Sequence, residues 1–288
     1  KANTRFSHND ARYNQSQYFT GSNDLPSNNL DIDNDNLLDS WRLSGSGIFR
    51  HRFKKKGRSF ALSAGYNSNK SDGSENLFSI NRFFRAGTVT EQIRQLNTND
   101  NIGRQIKSSM LFTEPLSKKW YWETFYNFSR ADNQVNRQVV DPELNNERID
   151  NLSVFYDNTV LYNRLGSSIR YSYDGLNATV GAAAQHLQLD GAYSTDRNTP
   201  LLTDPIRRSF LNYTPNVDIS YEFPSNLWLS AEYSYEINEP QLNDLQPVPN
   251  VSNPAYRIEG NPNLTPQRSH SLGLNLNYWN PASLSSVG

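Results

Sequence analysis

Four histidines are the side chains of this sequence best suited to bind a metal or transfer a proton: His8, His51, His186 and His270. They stand far apart, and none repeats at a metal-ligand spacing such as H-x-x-x-H. The chain has no cysteine, which excludes thiolate metal sites and a disulfide framework. Neither a G-x-S-x-G motif nor a glycine-rich phosphate loop is present. The sequence therefore predicts no enzyme, no cofactor and no metal site.

An acidic run is a second candidate for cation binding. Residues 31–36 read Asp-Ile-Asp-Asn-Asp-Asn, a spacing that resembles a calcium loop. The run lacks the distal glycine and glutamate that complete an EF-hand. We interpret it as a flexible polar loop, with contact to calcium or surface polysaccharide as the alternative.

Charged residues within alternating apolar and polar segments are the third group of candidates. Because successive side chains of a strand point to opposite faces, parity places them together on the polar face. They are Arg42, Arg50, Arg170, Asp218, Glu232 and Glu236. Their mixed signs argue against a strongly ion-selective pore. A plug domain, a substrate and water remain alternative contacts for them.

Pairs of alternating segments that meet across very short turns position these charges. The turns lie near residues 54–58, 115–119, 174–175, 224–226 and 280–283. Long stretches rich in Asn, Asp and Ser separate them. Strands of ~10 residues, short turns on one side and long loops on the other are typical of an antiparallel transmembrane up-and-down β-barrel. A soluble β-sandwich, the alternative, would show turn signals every ~8–12 residues.

The cost of charge in lipid decides which face is outward. A charged side chain facing lipid near the bilayer midplane costs up to ~2–4 kcal/mol. Arg170, Asp218 and Glu232 share the polar parity, so we place that face in the lumen and the apolar face in lipid. A slip of one residue would exchange the two faces. Two exceptions, Arg104 and Glu114, fall at strand ends, where lipid headgroups accept charge.

Aromatic residues of lipid parity gather at both ends of the strands, as in the two interfacial girdles of a membrane barrel. At the turn ends these are Phe53, Phe60, Phe112, Trp120, Tyr173, Tyr221, Phe223 and Tyr278. At the far ends they are Trp41, Tyr66, Phe128, Tyr213 and Tyr235.

The chain divides into three parts on this interpretation. Residues 1–38 are predicted to form an extracellular loop, residues 39–280 a partial barrel wall of about nine strands, and residues 281–288 a truncated end. Bacterial barrels close with an even number of strands. We therefore expect an internal piece of a longer protein. The net charge of −1 gives no indication of nucleic-acid binding.

The passage from residue 233 to residue 278 carries the most specific motif. A P-x-L-x-x-L-x-P loop is followed by N-P, by G-N-P-x-L-x-P and by an alternating strand. The motif residues are Pro240, Leu242, Leu245, Pro247, Asn253, Pro254, Gly260, Asn261, Pro262, Leu264 and Pro266. This order resembles the barrels of TonB-dependent receptors, particularly the outer-membrane β-barrel family of Bacteroidetes-type bacteria. The acidic residue usual after the last proline is replaced by Gln267. We expect the leucines to pack this loop onto the barrel mouth, and direct ligand contact is the alternative.

The resemblance implies a location and a function. It implies the outer membrane of a Gram-negative bacterium and a barrel of about 22 strands, filled by an N-terminal plug domain. Such a barrel would import a metal chelate, oligosaccharide or peptide, with energy from the TonB system. Its partners would be outer-membrane lipid, its own plug domain, the TonB system and a surface lipoprotein.

Two alternatives to import remain open. The first is a non-transporting barrel that is a structural or assembly partner in a surface or secretion complex, with its loops as docking surfaces. The second is an outer-membrane hydrolase, which would need a convergent His/Asp or Ser/His pair at the barrel mouth.

Overall fold

A computed structural model describes residues 2–20, 26–84, 89–150, 152–194, 205–240, 242–245, 260–261, 263–280 and 285–287. Within these residues nearly every element is a strand of one antiparallel sheet. The strands are β1 (Ala2–Thr20), β2 (Pro26–Arg52), β3 (Ser59–Phe83), β4 (Val89–Pro115), β5 (Trp120–Asp141), β6 (Glu147–Arg148), β7 (Val154–Tyr173), β8 (Leu176–Ser194), β9 (Ile206–Glu222), β10 (Leu227–Asn238), β11 (Gln267–Asn280) and β12 (Ser285–Val287). One short helix, α1 (Leu242–Leu245), lies between β10 and β11.

The strands pair in chain order, with β6 alone beside β5 as a side branch. This is the meander predicted from the alternating segments, so the all-β fold class is confirmed. Eleven described strands follow in sequence, against the nine predicted, because β1 and β12 form in segments that were expected to be loop and chain end.

The short turns lie where the sequence places them. Asp174 and Gly175 both have positive φ, at 47° and 77°, as a two-residue type I′ hairpin requires. Gly57 and Asn226 supply the positive φ in two other turns. The predicted turn at 280–283 falls largely on residues outside the described part of the chain.

The predicted long loops are wrong in two places. β3 and β4 pair residue by residue from Ser59↔Thr113 to Phe83↔Val89, so the polar stretch between the short turns is a long hairpin. Within the predicted loop 1–38, residues 2–20 form β1 and residues 26–38 form the first part of β2. Strands of 25 and 27 residues exceed the ~9–11 that cross a bilayer. Their polar ends therefore project well beyond it.

The acidic run 31–36 belongs to this extended region, so its interpretation as a flexible loop is also wrong. Asp31 accepts a hydrogen bond from Ser16 at 2.7 Å and pairs with Arg82, and Asp33 pairs with Arg12 at 3.1 Å. The carboxylates thus neutralise arginines of neighbouring strands. These contacts help to hold a polar sequence of low β-propensity in the sheet.

The two faces of the sheet have the inverse of the usual polarity. Val180 is 58% exposed, whereas Gln185 on the opposite face of β8 is only 7% exposed. Leu165 and Leu211 share the exposed face, and Asn212 the buried one. We call the face of Val180 the outer face and that of Gln185 the inner face. A sheet that exposes large apolar side chains and shields amides suits a wall between lipid and a polar lumen.

Aromatic side chains of the outer face meet near the short turns, where the sequence predicts a girdle. The ring of Phe112 lies 6.3 Å from that of Phe53 and 6.4 Å from that of Trp122. Trp120 contacts Tyr171 across β5 and β7 at 4.8 Å. Among the described residues, no helix is both long enough and apolar enough to cross a membrane.

Candidate functional site

A charge row crosses the inner face near the short turns. Arg170 of β7 stands opposite Thr179, which stands opposite Asp218, which in turn stands opposite Glu232. The Arg170 guanidinium binds the Glu123 carboxylate at 3.1 Å. Strand parity predicts that these charges share one face. The register of the sheet shows in addition that Arg170, Asp218 and Glu232 lie at the same level along the strands.

The other three predicted charges lie elsewhere on the same face. Arg50 stands opposite Ala61, close to the short turn that ends β2. Arg42 stands opposite Asn69, further from that turn than Arg50. Glu236 shares the face of Glu232 because the two positions on β10 differ by four, an even number. The six candidates thus do not converge on one site.

A second row, uncharged, crosses the middle strands of the inner face. Asn69, Gly103, Asn133 and Asn158 stand opposite one another on β3, β4, β5 and β7. Asn133 Nδ2 donates to Asn158 Oδ1 at 3.1 Å. We call the three asparagines the amide row. Sequence reasoning missed it, although each asparagine has the inner parity of its strand.

Gly103 allows the side-chain amides of Asn69 and Asn133 to approach each other. A Cβ at this position would lie 2.6 Å from Asn69 Oδ1 and 3.1 Å from Asn133 Oδ1. No side chain fits there without displacing the amides. The glycine therefore keeps the two amide groups on either side of it near each other.

A cavity of about 550 Å³ opens over the amide row. Ser71 and Asn101 extend its polar side, and Glu239 and Pro240 border it from the segment after β10. Its apolar side includes Tyr156, Val160, Leu187 and Leu189. The cavity thus combines neutral amides with an apolar wall, a common composition for small-molecule sites.

The helix α1, in the loop after β10, packs against the inner face beside this cavity. Leu245 of α1 is fully buried in a cluster with Val154, Leu187, Tyr193 and Ile206. The Asp244 carbonyl accepts a hydrogen bond from the Asn261 amide at 2.7 Å, and the Gln185 amide donates to Glu239. The described part of the motif loop is therefore attached to the wall by the Leu245 side chain and by the Gln185–Glu239 hydrogen bond, while the Asp244–Asn261 bond joins two parts of the loop.

The remaining motif residues divide between the described chain and the part outside it. Leu264, which we expected to pack on the rim, is 37% exposed, and Pro266 directly precedes β11. The motif positions outside the described residues are Pro247, Asn253, Pro254 and Pro262.

Burial shifts the pKa values of two side chains at the end of the sheet away from the short turns, beyond the apolar band. Burial raises the pKa of the Tyr156 phenol, an effect that the nearby Arg137 partly opposes. Burial also lowers the pKa of Arg137, against the attraction of Glu75. Tyr156 therefore presents a neutral hydroxyl and ring to the cavity at neutral pH.

The histidines lie apart from the cavity. His186 Nε2 lies 2.9 Å from Ser209 Oγ on the outer face, a contact that the sequence does not reveal. Acyl transfer also needs a group that orients the imidazole and donors for the oxyanion. Among the described residues Ser209 is the hydrogen-bond partner of His186, and no carboxylate contacts it. We therefore interpret the pair as a polar contact between strands.

Two other histidines have simple structural contacts. His270 Nδ1 lies 2.9 Å from the Tyr233 hydroxyl, and His51 packs between Phe49 and Phe53. In the part of the chain that the structure describes, no three His, Asp or Glu side chains form a group able to hold a metal ion.

An antiparallel meander with apolar residues outside and polar residues inside defines the wall of an outer-membrane β-barrel. The chain belongs to the outer membrane protein beta-barrel family, whose sequence profile matches residues 51–287. This membership places it in the outer membrane of a Gram-negative bacterium. Comparison with curated proteins gives no match.

Two solved structures are similar to this chain, and the first shares its fold. The copper transporter OprC matches with a TM-score of 0.51 and 9% identity, over 97% of this chain and 51% of that one. The ferric yersiniabactin uptake receptor FyuA from Yersinia pestis matches with a TM-score of 0.49 and 9% identity, over 96% of this chain and 48% of that one. The chain thus spans about half the length of these two proteins.

Proposed function

We propose that this chain forms part of the wall of a TonB-dependent-receptor-like barrel that takes up a nutrient across the outer membrane. The observation that carries the proposal is the cavity over the amide row, bordered by a loop that Leu245 anchors to the inner face. A ligand site on the inner wall is what an importer needs. The fold shared with the copper transporter supports a transport role. We do not infer from this likeness that the chain transports copper.

The charge row supports a plug domain as the partner of the inner face. Arg170, Asp218 and Glu232 present both signs of charge near the short turns. Charges of both signs suit a polar domain that fills the lumen and must be released during transport. The plug domain, the TonB system and closure at about 22 strands belong to this proposal.

Deletion strains test the proposal. Removing the gene for the full protein should abolish uptake of one class of nutrient, and removing the TonB system should abolish uptake of the same class. A Glu232→Gln variant should lower uptake at an unchanged amount of folded barrel, while Ser230→Ala on the same face should not. Uptake that survives deletion of the protein for every nutrient tested would reject the transport role.

A second candidate function rests on the long hairpins. β1 to β4 extend far beyond the length that crosses a bilayer, and their polar ends offer a docking surface. A non-transporting barrel could hold a surface lipoprotein or a secretion complex there. Cross-linking on intact cells distinguishes the two functions. Loss of a surface complex on deletion, with all nutrient uptake intact, would favour the assembly role.

A further inference from the structure

We propose that the cavity over the amide row binds an uncharged oligosaccharide, an inference that rests on the proposed uptake function and specifies its substrate class. The cavity lies on the inner face and is lined by Asn69, Asn133 and Asn158 on one side and by Tyr156, Leu187 and Leu189 on the other.

The charge of the lining argues against an anionic chelate. Among the described side chains that line the cavity, Glu239 alone is charged, and its carboxylate is hydrogen-bonded to the Gln185 amide. An anionic ligand in the cavity would meet this negative group, and none of the described lining side chains is a cation. The nearby Arg137 does not line the cavity and is itself attracted to Glu75. Desolvation of an unpaired charge is costly, so a neutral ligand is favoured.

The polar side of the cavity matches hydroxyl groups. Each asparagine offers a carbonyl acceptor and an NH₂ donor, and each sugar hydroxyl both donates and accepts. Asn133 and Asn158 lie on adjacent strands, about 4.8 Å apart, a spacing comparable to one sugar ring. Asn69 lies two strands from Asn133, with Gly103 between them. The Asn101 Oδ1 atom at the cavity is buried and has no hydrogen-bond partner among the described residues. That acceptor suits a ligand hydroxyl.

The apolar side of the cavity matches the C–H faces of a sugar. Tyr156 contributes a ring with a polar tip, and Val160, Leu187 and Leu189 continue the apolar surface. Aromatic residues supply large contact areas at such sites while keeping a hydroxyl available. A ligand with both hydroxyl and C–H surfaces can satisfy both walls at once.

Peptide is the less suitable neutral ligand because the backbone here has no free edge. Gly103 pairs with Asn69 and Asn133, and Asn133 pairs in turn with Asn158, so these strands are hydrogen-bonded on both sides. A peptide that adds as a further strand needs an exposed edge. Side chains alone face the ligand, which favours recognition of hydroxyl groups.

Calorimetry on the purified full-length protein tests the inference. The probes are a panel of neutral gluco-, manno- and galacto-oligosaccharides, ferric citrate as an anionic chelate and a mixture of short peptides. We expect an oligosaccharide from the panel to bind. Asn133→Leu and Asn158→Leu should each weaken its binding by about tenfold or more, since each leaves a polar group unpaired. Gly103→Ala should also weaken binding, because a Cβ would displace the Asn69 amide.

Asn163→Leu is the matched control. Asn163 also lies on β7 but on the outer face, where it accepts a hydrogen bond from the Tyr126 hydroxyl at 2.6 Å. This variant should bind the oligosaccharide as the wild type does. Heat-modifiable gel mobility checks that every variant is folded.

Three binding results would overturn the inference. They are no binding of any oligosaccharide in the panel, equal binding by Asn133→Leu and wild type, and binding of ferric citrate or peptide that Asn133→Leu weakens. The proposed function fails separately. Oligosaccharide binding without TonB-dependent uptake would reject import and keep the site. TonB-dependent uptake of another nutrient, unaffected by Asn133→Leu, would keep import and reject the site.

Discussion

The ring of Phe125 lies over Gly166 on the inner face, so that a Cβ at position 166 would be 2.5 Å from Phe125 Cε1. The Ala183 Cβ would be 3.0 Å from the same point. The Arg164 guanidinium also contacts this ring, 5.4 Å from its centroid. We expect Gly166→Ala to displace the ring and lower the free energy of unfolding by about 1–3 kcal/mol. Urea unfolding of the refolded full-length protein measures this change.

Gly47→Ala is the control for this prediction, because nothing lies within 4 Å of a Cβ at position 47. This variant should unfold like the wild type. Combining Gly166→Ala with Phe125→Leu should recover part of the lost stability. If Gly47→Ala and Gly166→Ala are equally destabilising, the crowding at Gly166 is not the cause.

Adjacent residues of β8 test which face meets lipid. Val180 points outward, and Thr179 points inward between Arg170 and Asp218. We expect Val180→Arg to reduce the stability of the barrel in lipid by about 2–4 kcal/mol, because it places a cation in hydrocarbon. Thr179→Arg should cost much less, since Asp218 is its neighbour. Folding into lipid vesicles measures both variants, and the reverse order of cost would invalidate the assignment of faces.

Leu245 anchors the described part of the motif loop to the inner face. Leu245 is fully buried, whereas Leu264 of the same loop is 37% exposed. Leu245→Ala should destabilise docking of the loop by about 2–4 kcal/mol through the cavity it leaves. Hydrogen exchange of the segment around α1 should therefore accelerate while the strands stay protected. Leu264→Ala should change this exchange little, and identical behaviour of the two variants would contradict the role of Leu245.

The buried phenol of Tyr193 gives a pH-dependent prediction. Burial raises its pKa to about 12, with a further contribution from Tyr156, and its hydroxyl has no hydrogen-bond partner among the described residues. Tyr193→Phe should therefore equal or exceed the wild type in stability at pH ~8 by up to about 1 kcal/mol, since an unpaired polar atom is removed.

The sign of the pH effect follows from the raised pKa. In the unfolded chain the phenol ionises near pH ~10, while in the fold it stays neutral until near pH 12. The wild type should therefore lose stability between these values, and Tyr193→Phe should lose less. Unfolding of both proteins at two pH values, near neutral and above the unfolded pKa, measures the difference. An identical pH dependence would contradict the burial of this hydroxyl.

The amino-acid sequence by itself determined the faces and the short turns. Alternation with period two assigns each side chain of a strand to lipid or lumen, and the Asp174–Gly175 pair specifies its turn through local backbone preference. These signals are local, so they are readable without knowledge of strand partners. The parity shared by Arg170, Asp218 and Glu232 follows from the same rule.

Only the tertiary structure decided where the strands end and which inner residues meet. The polar sequences of β1 to β4 have low β-propensity, and they are strands because the neighbouring strand completes their hydrogen bonds and ion pairs. The amide row depends on the register between Asn69, Asn133 and Asn158, which lie far apart in the chain. Register arises from pairing between segments that are distant in the chain. Local sequence patterns therefore do not reveal it.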